Sequence, residues 1–248
     1  LIKMKKIFLL TFLLSFCLSH GQYLQTRILK VPPSKVEKFM SAAANKTKIY
    51  NTKEGQPRYL TFQILTGRYS QNFIRMQIAS SLSEFDKEDK IGNAYWQKTT
   101  GSLHESEGGY LWSVARNFTY IPEDNKPLNH RRVIFYQYKD GHGSDFWRFR
   151  ARVKKALEKI NYDKRVSVLR CISGCDGNLV QLRFHHKDFK DEASFSEIRP
   201  KIRSAYDEIY GSNSYEDDQS KMLESLTEIN GKRIRHFKFL PALSSPRN

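Results

Sequence analysis

The sequence predicts an α+β chain in which the order β-α-β-β-α-β occurs twice in tandem, with antiparallel sheets carrying helices on one face. Three observations carry the prediction. Short runs alternate apolar and polar residues with the period of two expected of half-buried strands. Between them lie stretches whose apolar residues recur at the helical period. A turn-rich stretch, 122–129, divides the chain near its middle, and the same element order follows on either side.

In the first half, residues 23–31 read as a strand. Pro32, Pro33 and Ser34 open a helix, with Ser34 and Glu37 spaced as a capping box. Val36, Phe39, Met40 and Ala43 form its apolar stripe. Residues 59–66 alternate, with Leu60, Phe62 and Ile64 on one face and Tyr59, Thr61 and Gln63 on the other. A turn at 67–72 leads to 73–79, where Ile74, Met76 and Ile78 oppose Arg75 and Gln77. Residues 83–103 are weakly helical and break near Gly92. Residues 110–120 form a strand closed by Pro122.

In the second half, 133–139 is a strand and 144–160 is the strongest helix. Phe146, Phe149, Val153, Ala156 and Ile160 form its stripe, and Arg148, Arg152, Lys155 and Lys159 lie on another face. Residues 166–171 and 179–186 are strands joined by a turn that carries Cys171 and Cys175. In the second of them Val180, Leu182 and Phe184 share one face, and Gln181, Arg183 and His185 the other. Helices follow at 195–210 and 215–229, stopped by Gly211 and Gly231, with Pro200 limiting the first. Residues 232–239 form a last strand, closed by Pro241.

This order is the ferredoxin-like split βαβ. Two in tandem resemble the dimeric α/β-barrel proteins, here as a fused pseudo-dimer. The division is then 1–21 as a leader, 22–122 as the first ferredoxin-like half, 123–129 as linker and 130–248 as the second half. The resemblance implies a group that includes small monooxygenases and haem-handling enzymes. Fold class alone does not choose among them. No cofactor is expected from the residues, and haem is the one the resemblance leaves open.

The leader predicts export. Met4, Lys5 and Lys6 give a positive start, Ile7 to Leu18 is apolar apart from Thr11 and Ser15, and Ser19-His20-Gly21 offers a cleavage site near Gly21. As a helix the run spans only about 18 Å, against a hydrocarbon core of about 30 Å. Phe16 stands where lipid attachment at Cys17 would want a small residue. The mature chain is expected to be secreted or periplasmic, with no further membrane-spanning segment. Losing Lys3, Lys5 and Lys6 lowers the formal charge from +16 to +13. In an exported protein that excess suits an anionic envelope surface better than nucleic acid, for which no motif is present. The sequons at Asn45 and Asn117 are read as chance in a bacterial chain.

Cys171 and Cys175 remain after cleavage. A structural disulfide is expected, ahead of free thiols or a redox pair, because the compartment is oxidising and the spacing is not that of thioredoxin-like motifs. Gly141-His142-Gly143 precedes a helix, but Phe146 occupies the third glycine's place of a dinucleotide loop, so the segment reads as a turn with an N-cap, ahead of a weak anion site at the backbone N–H groups near Ser144. His185 and His186 point to opposite faces of a strand, and His104, His130, His142 and His236 show no ligand spacing, so no metal set is expected.

If the apolar faces of both sheets meet helices, the polar faces meet each other. Gln63, Arg75, Gln77, Gln181, Arg183 and His185 then line a cationic space between the sheets, suited to a small anionic ligand. No catalytic residue is assigned. The sequence supports three readings: an exported binding protein for such a ligand, an oxygenase or haem-handling enzyme using the same space, and a basic envelope protein held by Arg148, Arg152, Lys155 and Lys159.

Overall fold

The structure, a computed structural model, describes residues 23–228 and 231–247. The predicted leader and Cys17 lie outside the described residues.

Eight strands form the framework: β1 (Tyr23–Lys30), β2 (Arg58–Ile64), β3 (Phe73–Ala79), β4 (Glu105–Val114), β5 (His130–Tyr138), β6 (Val166–Ser173), β7 (Asn178–His186) and β8 (Lys232–Phe239). They do not make two facing sheets, as expected from sequence, but one closed barrel in the order β1-β3-β2-β8-β5-β7-β6-β4. Neighbours pair antiparallel throughout. The first half runs β4-β1-β3-β2 and the second β6-β7-β5-β8. The seams are β2 with β8 and β4 with β6. Pairing those edges removes the open N–H and C=O rows that separate sheets would expose.

Helices α1 (Val36–Tyr50) and α2 (Lys90–Thr100) go with the first-half strands. Helices α3 (Gly143–Lys159), α4 (Phe189–Ala193), α5 (Phe195–Tyr210) and α6 (Ser214–Glu224) go with the second. Asp89 caps α2 by accepting from Gly92 N, so the chain breaks before Lys90 and Gly92 lies within the first turn of α2, not at the break expected from sequence. The Ser34–Glu37 capping box does not form, because Ser34 sits in a short 3-10 turn (Pro33–Lys35) before α1. The N-cap of α3 is His142, which makes no side-chain capping bond. Gly211 stops α5 with φ at 103°, a conformation that favours glycine. Helix α6 ends at Glu224 instead of running to Gly231. Leu226 bridges to Tyr138, and Ser225 O and Gln137 O exchange bonds with Lys139 N and Thr227 N, so the chain leaves the helix to line the end of β5.

The apolar residues fill three places. Ile74, Met76, Phe62, Ile64, Trp112, Val133, Phe135 and Phe237 belong to a cluster inside the barrel. An eight-stranded barrel is just wide enough for side chains to fill it. Leu29, Phe39, Ala43, Phe73 and Leu103 form a layer under α1. Ile134, Tyr136, Phe146, Phe149, Val180, Leu182, Ile202, Tyr206 and Met222 form the larger layer under α3, α5 and α6.

Candidate functional site

The structure separates the six residues expected to share one space. In β7, Gln181, Arg183 and His185 face the barrel interior, as expected, while Val180 and Leu182 pack beneath the helices. In the first half the faces are exchanged. Phe62, Ile64, Ile74 and Met76, expected beneath helices, are inside the barrel. Arg75 and Gln77 are on the outer side, Arg75 beneath the helices with Thr61 and Tyr59. Gln63, opposite Phe73, bonds Gln71 at the periphery. The reason is supply of partners. Arg75 donates to Thr61 Oγ1 (2.8 Å), Leu243 O (3.0 Å) and Thr47 Oγ1 (3.3 Å), and its plane rests on Tyr59 and Trp96. A buried guanidinium can be placed under a helix when the helix brings such acceptors.

Inside the barrel, Arg183 donates twice to Gln181 Oε1 (3.0 and 2.9 Å) and once to Met76 Sδ (3.4 Å). Burial pulls its pKa down to about 9, with Arg165 nearby adding to the effect. Burial also pushes His185 well below its ordinary value, so this imidazole is neutral. Ser167 Oγ links His185 Nε2 and Arg165 Nε.

A cavity lies elsewhere, between the second-half helices and the outer wall of the barrel. It has a volume of about 610 Å³, within the usual range for small-molecule sites. Helix α3 contributes Phe149, Arg150, Val153 and Leu157, α5 contributes Phe195 to Arg203 in part, and α6 contributes Tyr215, Gln219, Met222 and Leu223. Ile134, Tyr136 and Phe184 form the floor. Five lining residues are basic (Arg132, Arg150, Arg199, Arg203 and Lys232) and none is acidic.

Arg150 distinguishes this cavity. It is 8% exposed, yet among the described residues it makes no hydrogen bond or ion pair, and its Nε is buried without a partner. Only aromatic faces hold it: Phe149 at 4.5 Å, Tyr136 at 5.5 Å and Phe146 at 5.9 Å. Burial lowers its pKa, although a guanidinium remains a cation at neutral pH. A buried cation without an anion is costly unless a ligand supplies one.

The four bases on the other face of α3 are not a free cationic stripe. Arg148 and Arg152 bind Asp218 at 3.1 and 2.6 Å, Lys155 binds Glu158 at 2.9 Å and Lys159 binds Glu208 at 2.6 Å. Tyr206 also donates to Asp218 at 2.5 Å.

At the rim of the cavity three residues meet that show no ligand spacing in sequence. Glu192 of α4 accepts from His130 Nε2 (2.7 Å) and His236 Nε2 (3.0 Å). The histidine rings stack with centroids 5.5 Å apart. Cys171 and Cys175 form the expected disulfide.

Sequence reasoning missed Arg150 and this triad. Arg150 had a signal: it falls four residues after Phe146 and three before Val153, inside the apolar stripe of α3. The triad had none, since β5, α4 and β8 are far apart in sequence and meet only through the β5–β8 pairing and the packing of α4 in the second half.

No family model matches this chain, and no curated protein matches it. Solved structures do. A candidate monooxygenase from Fusobacterium nucleatum aligns with TM-score 0.56 at 13% identity, covering 89% of this chain and 93% of that one. An anthrone oxidase-like protein aligns with TM-score 0.54 at 9% identity, covering 90% and 93%. Chlorite dismutase from Candidatus Nitrospira defluvii, in complex with imidazole, aligns with TM-score 0.53 at 10% identity, covering 90% and 92%. At these identities the likeness carries the fold alone, a closed barrel with helices outside.

Proposed function

We propose that this chain holds a small organic anion with an apolar body in the cavity beneath α3, α5 and α6, its charge seated on Arg150. The unpartnered, buried guanidinium carries the reading. The aromatic and aliphatic lining suits the body of such a molecule, and the surrounding bases repel cations. Oxidation of that ligand is the second reading, supported by the monooxygenase and anthrone oxidase-like neighbours.

Haem fits this cavity poorly. It needs an axial ligand, and the lining holds no histidine or cysteine, only Tyr136, Tyr215 and Met222. Burial raises the Tyr215 phenol above its ordinary pKa, which keeps it protonated. No step is therefore assigned to haem.

The barrel is read as a fused pseudo-dimer of two ferredoxin-like halves, a view supported by the matching strand orders β4-β1-β3-β2 and β8-β5-β7-β6. Export is supported by the Cys171–Cys175 disulfide, a bond that persists in oxidising compartments. An anionic envelope surface stays a minor proposal, since α3's outer bases are paired.

Titration with 1-anilinonaphthalene-8-sulfonate, an apolar body bearing one sulfonate, tests the ligand reading. Saturable fluorescence is expected for the native chain. Arg150→Met should weaken it about tenfold or more, the worth of a charge-assisted hydrogen bond of roughly 1.5–3 kcal/mol. Equal binding by Arg150→Met would sink the assignment.

A further inference from the structure

His130 begins β5 and His236 lies in β8, where the register sets Arg132 opposite His236, so both imidazoles stand on the outer face of the barrel. One ring nitrogen from each histidine and a Glu192 oxygen all lie within 4.8 Å of one another. A transition-metal ion about 2.0–2.2 Å from each of three such donors needs only small movements here, since Glu192 already stands 2.7 and 3.0 Å from the nitrogens.

We propose that His130, His236 and Glu192 bind a divalent first-row transition-metal ion. Two imidazoles and one carboxylate suit Fe²⁺, Co²⁺ or Zn²⁺, whereas Ca²⁺ and Mg²⁺ favour all-oxygen sets. Two further features point to an ion. His236 Nδ1 lies 2.7 Å from Thr66 Oγ1, which also accepts from His236 N. With an ion at Nε2, Nδ1 carries the proton and donates to Thr66 Oγ1, which fixes the ring. Metal-bound histidines are oriented by such outer partners. Beside the cluster, His186 Nδ1 is buried without a hydrogen-bond partner; its ring is 6.3 Å from that of His130, and Asp191 Oδ2 is 3.8 Å away. Phe189 covers both ligand rings, with centroids at 4.4 and 5.2 Å. Arg132 Nε, 3.7 Å from Glu192 Oε1, is the cation that shares the carboxylate while no ion is bound. Arg132, Phe195, Ser196 and Arg199 also line the ligand cavity, but ion binding does not depend on the organic anion.

The full chain, stripped of metal with a chelator, is titrated with Co²⁺ and then Zn²⁺. One equivalent should bind, with visible Co²⁺ absorption and a rise in Tm. His236→Ala and Glu192→Gln should each weaken binding by roughly tenfold or more. His142→Ala, at an exposed site, and Arg150→Met should bind as the native chain does. The proposal fails if the native chain shows no one-to-one binding at micromolar ion. It also fails if Glu192→Gln, with an unchanged circular dichroism spectrum, keeps native affinity. Should His236→Ala not fold, Glu192→Gln decides.

Discussion

Each of the two helix-covered layers of this barrel buries a guanidinium, and the two layers treat it in opposite ways. Beneath α1 and α2, Arg75 is met by Thr61, Thr47 and the carbonyl of Leu243, with Tyr59 and Trp96 against its plane. Beneath α3, α5 and α6, Arg150 has aromatic faces and no acceptor among the described residues. The first layer is closed by the 3-10 turn at Pro241–Leu243; the second stays open as a cavity of about 610 Å³. The same ion is structural where the protein completes its hydrogen bonds, and marks a binding site where it does not.

The sharpest way to break this comparison is to neutralise both arginines. Arg75→Met leaves buried oxygens without a donor and should cost about 3 kcal/mol in urea unfolding. Arg150→Met, measured without ligand, should cost less than about 1 kcal/mol or stabilise, because it removes an unpaired buried charge. Equal losses at the two sites would end the distinction between a structural and a binding arginine.

The disulfide gives the next effect. It closes a very short loop between β6 and β7, so reduction should lower stability by roughly 2 kcal/mol on the chain-entropy model. Denaturation with and without dithiothreitol measures it. Gln181 and Arg183 lie on the strand that follows, so the barrel interior should loosen before the helix layer does.

The smallest effect concerns acid. Burial alone would raise the Asp218 carboxyl, but hydrogen bonds from Tyr206, Arg152 and Arg148 hold it below its ordinary range. Its contribution is therefore present above the unfolded value of about 3.9 and is lost as pH falls through the lower folded value. Asp218→Asn should lower Tm at neutral pH, and the difference from the native chain should shrink below about pH 4. A constant difference across that range would show that Asp218 acts through packing and not through charge.

Much of the fold is legible in the residues. Alternation in 59–66, 73–79 and 179–186 places strands there, and the stripe of Phe146, Phe149, Val153 and Ala156 marks α3. Gly211 sets the end of α5. The candidate site is less legible. Alternation says that Arg75 and Ile74 face opposite ways, but not which of them meets a helix. In β7 the more apolar face went under the helices, and in β3 it went into the barrel. That choice depends on what the helices bring, and Thr47 and Trp96 are distant in sequence from Arg75.

Periods of two and of about 3.6, turn residues and caps act over a few positions, so the sequence by itself determined the elements, their order and the α+β class. Closure of the barrel, the exchange of faces in its first half, the unmet charge of Arg150 and the meeting of His130, Glu192 and His236 were decided by the tertiary structure alone. Each depends on contacts between residues tens of positions apart, set by which strand edges pair and which side chains can satisfy one another once packed.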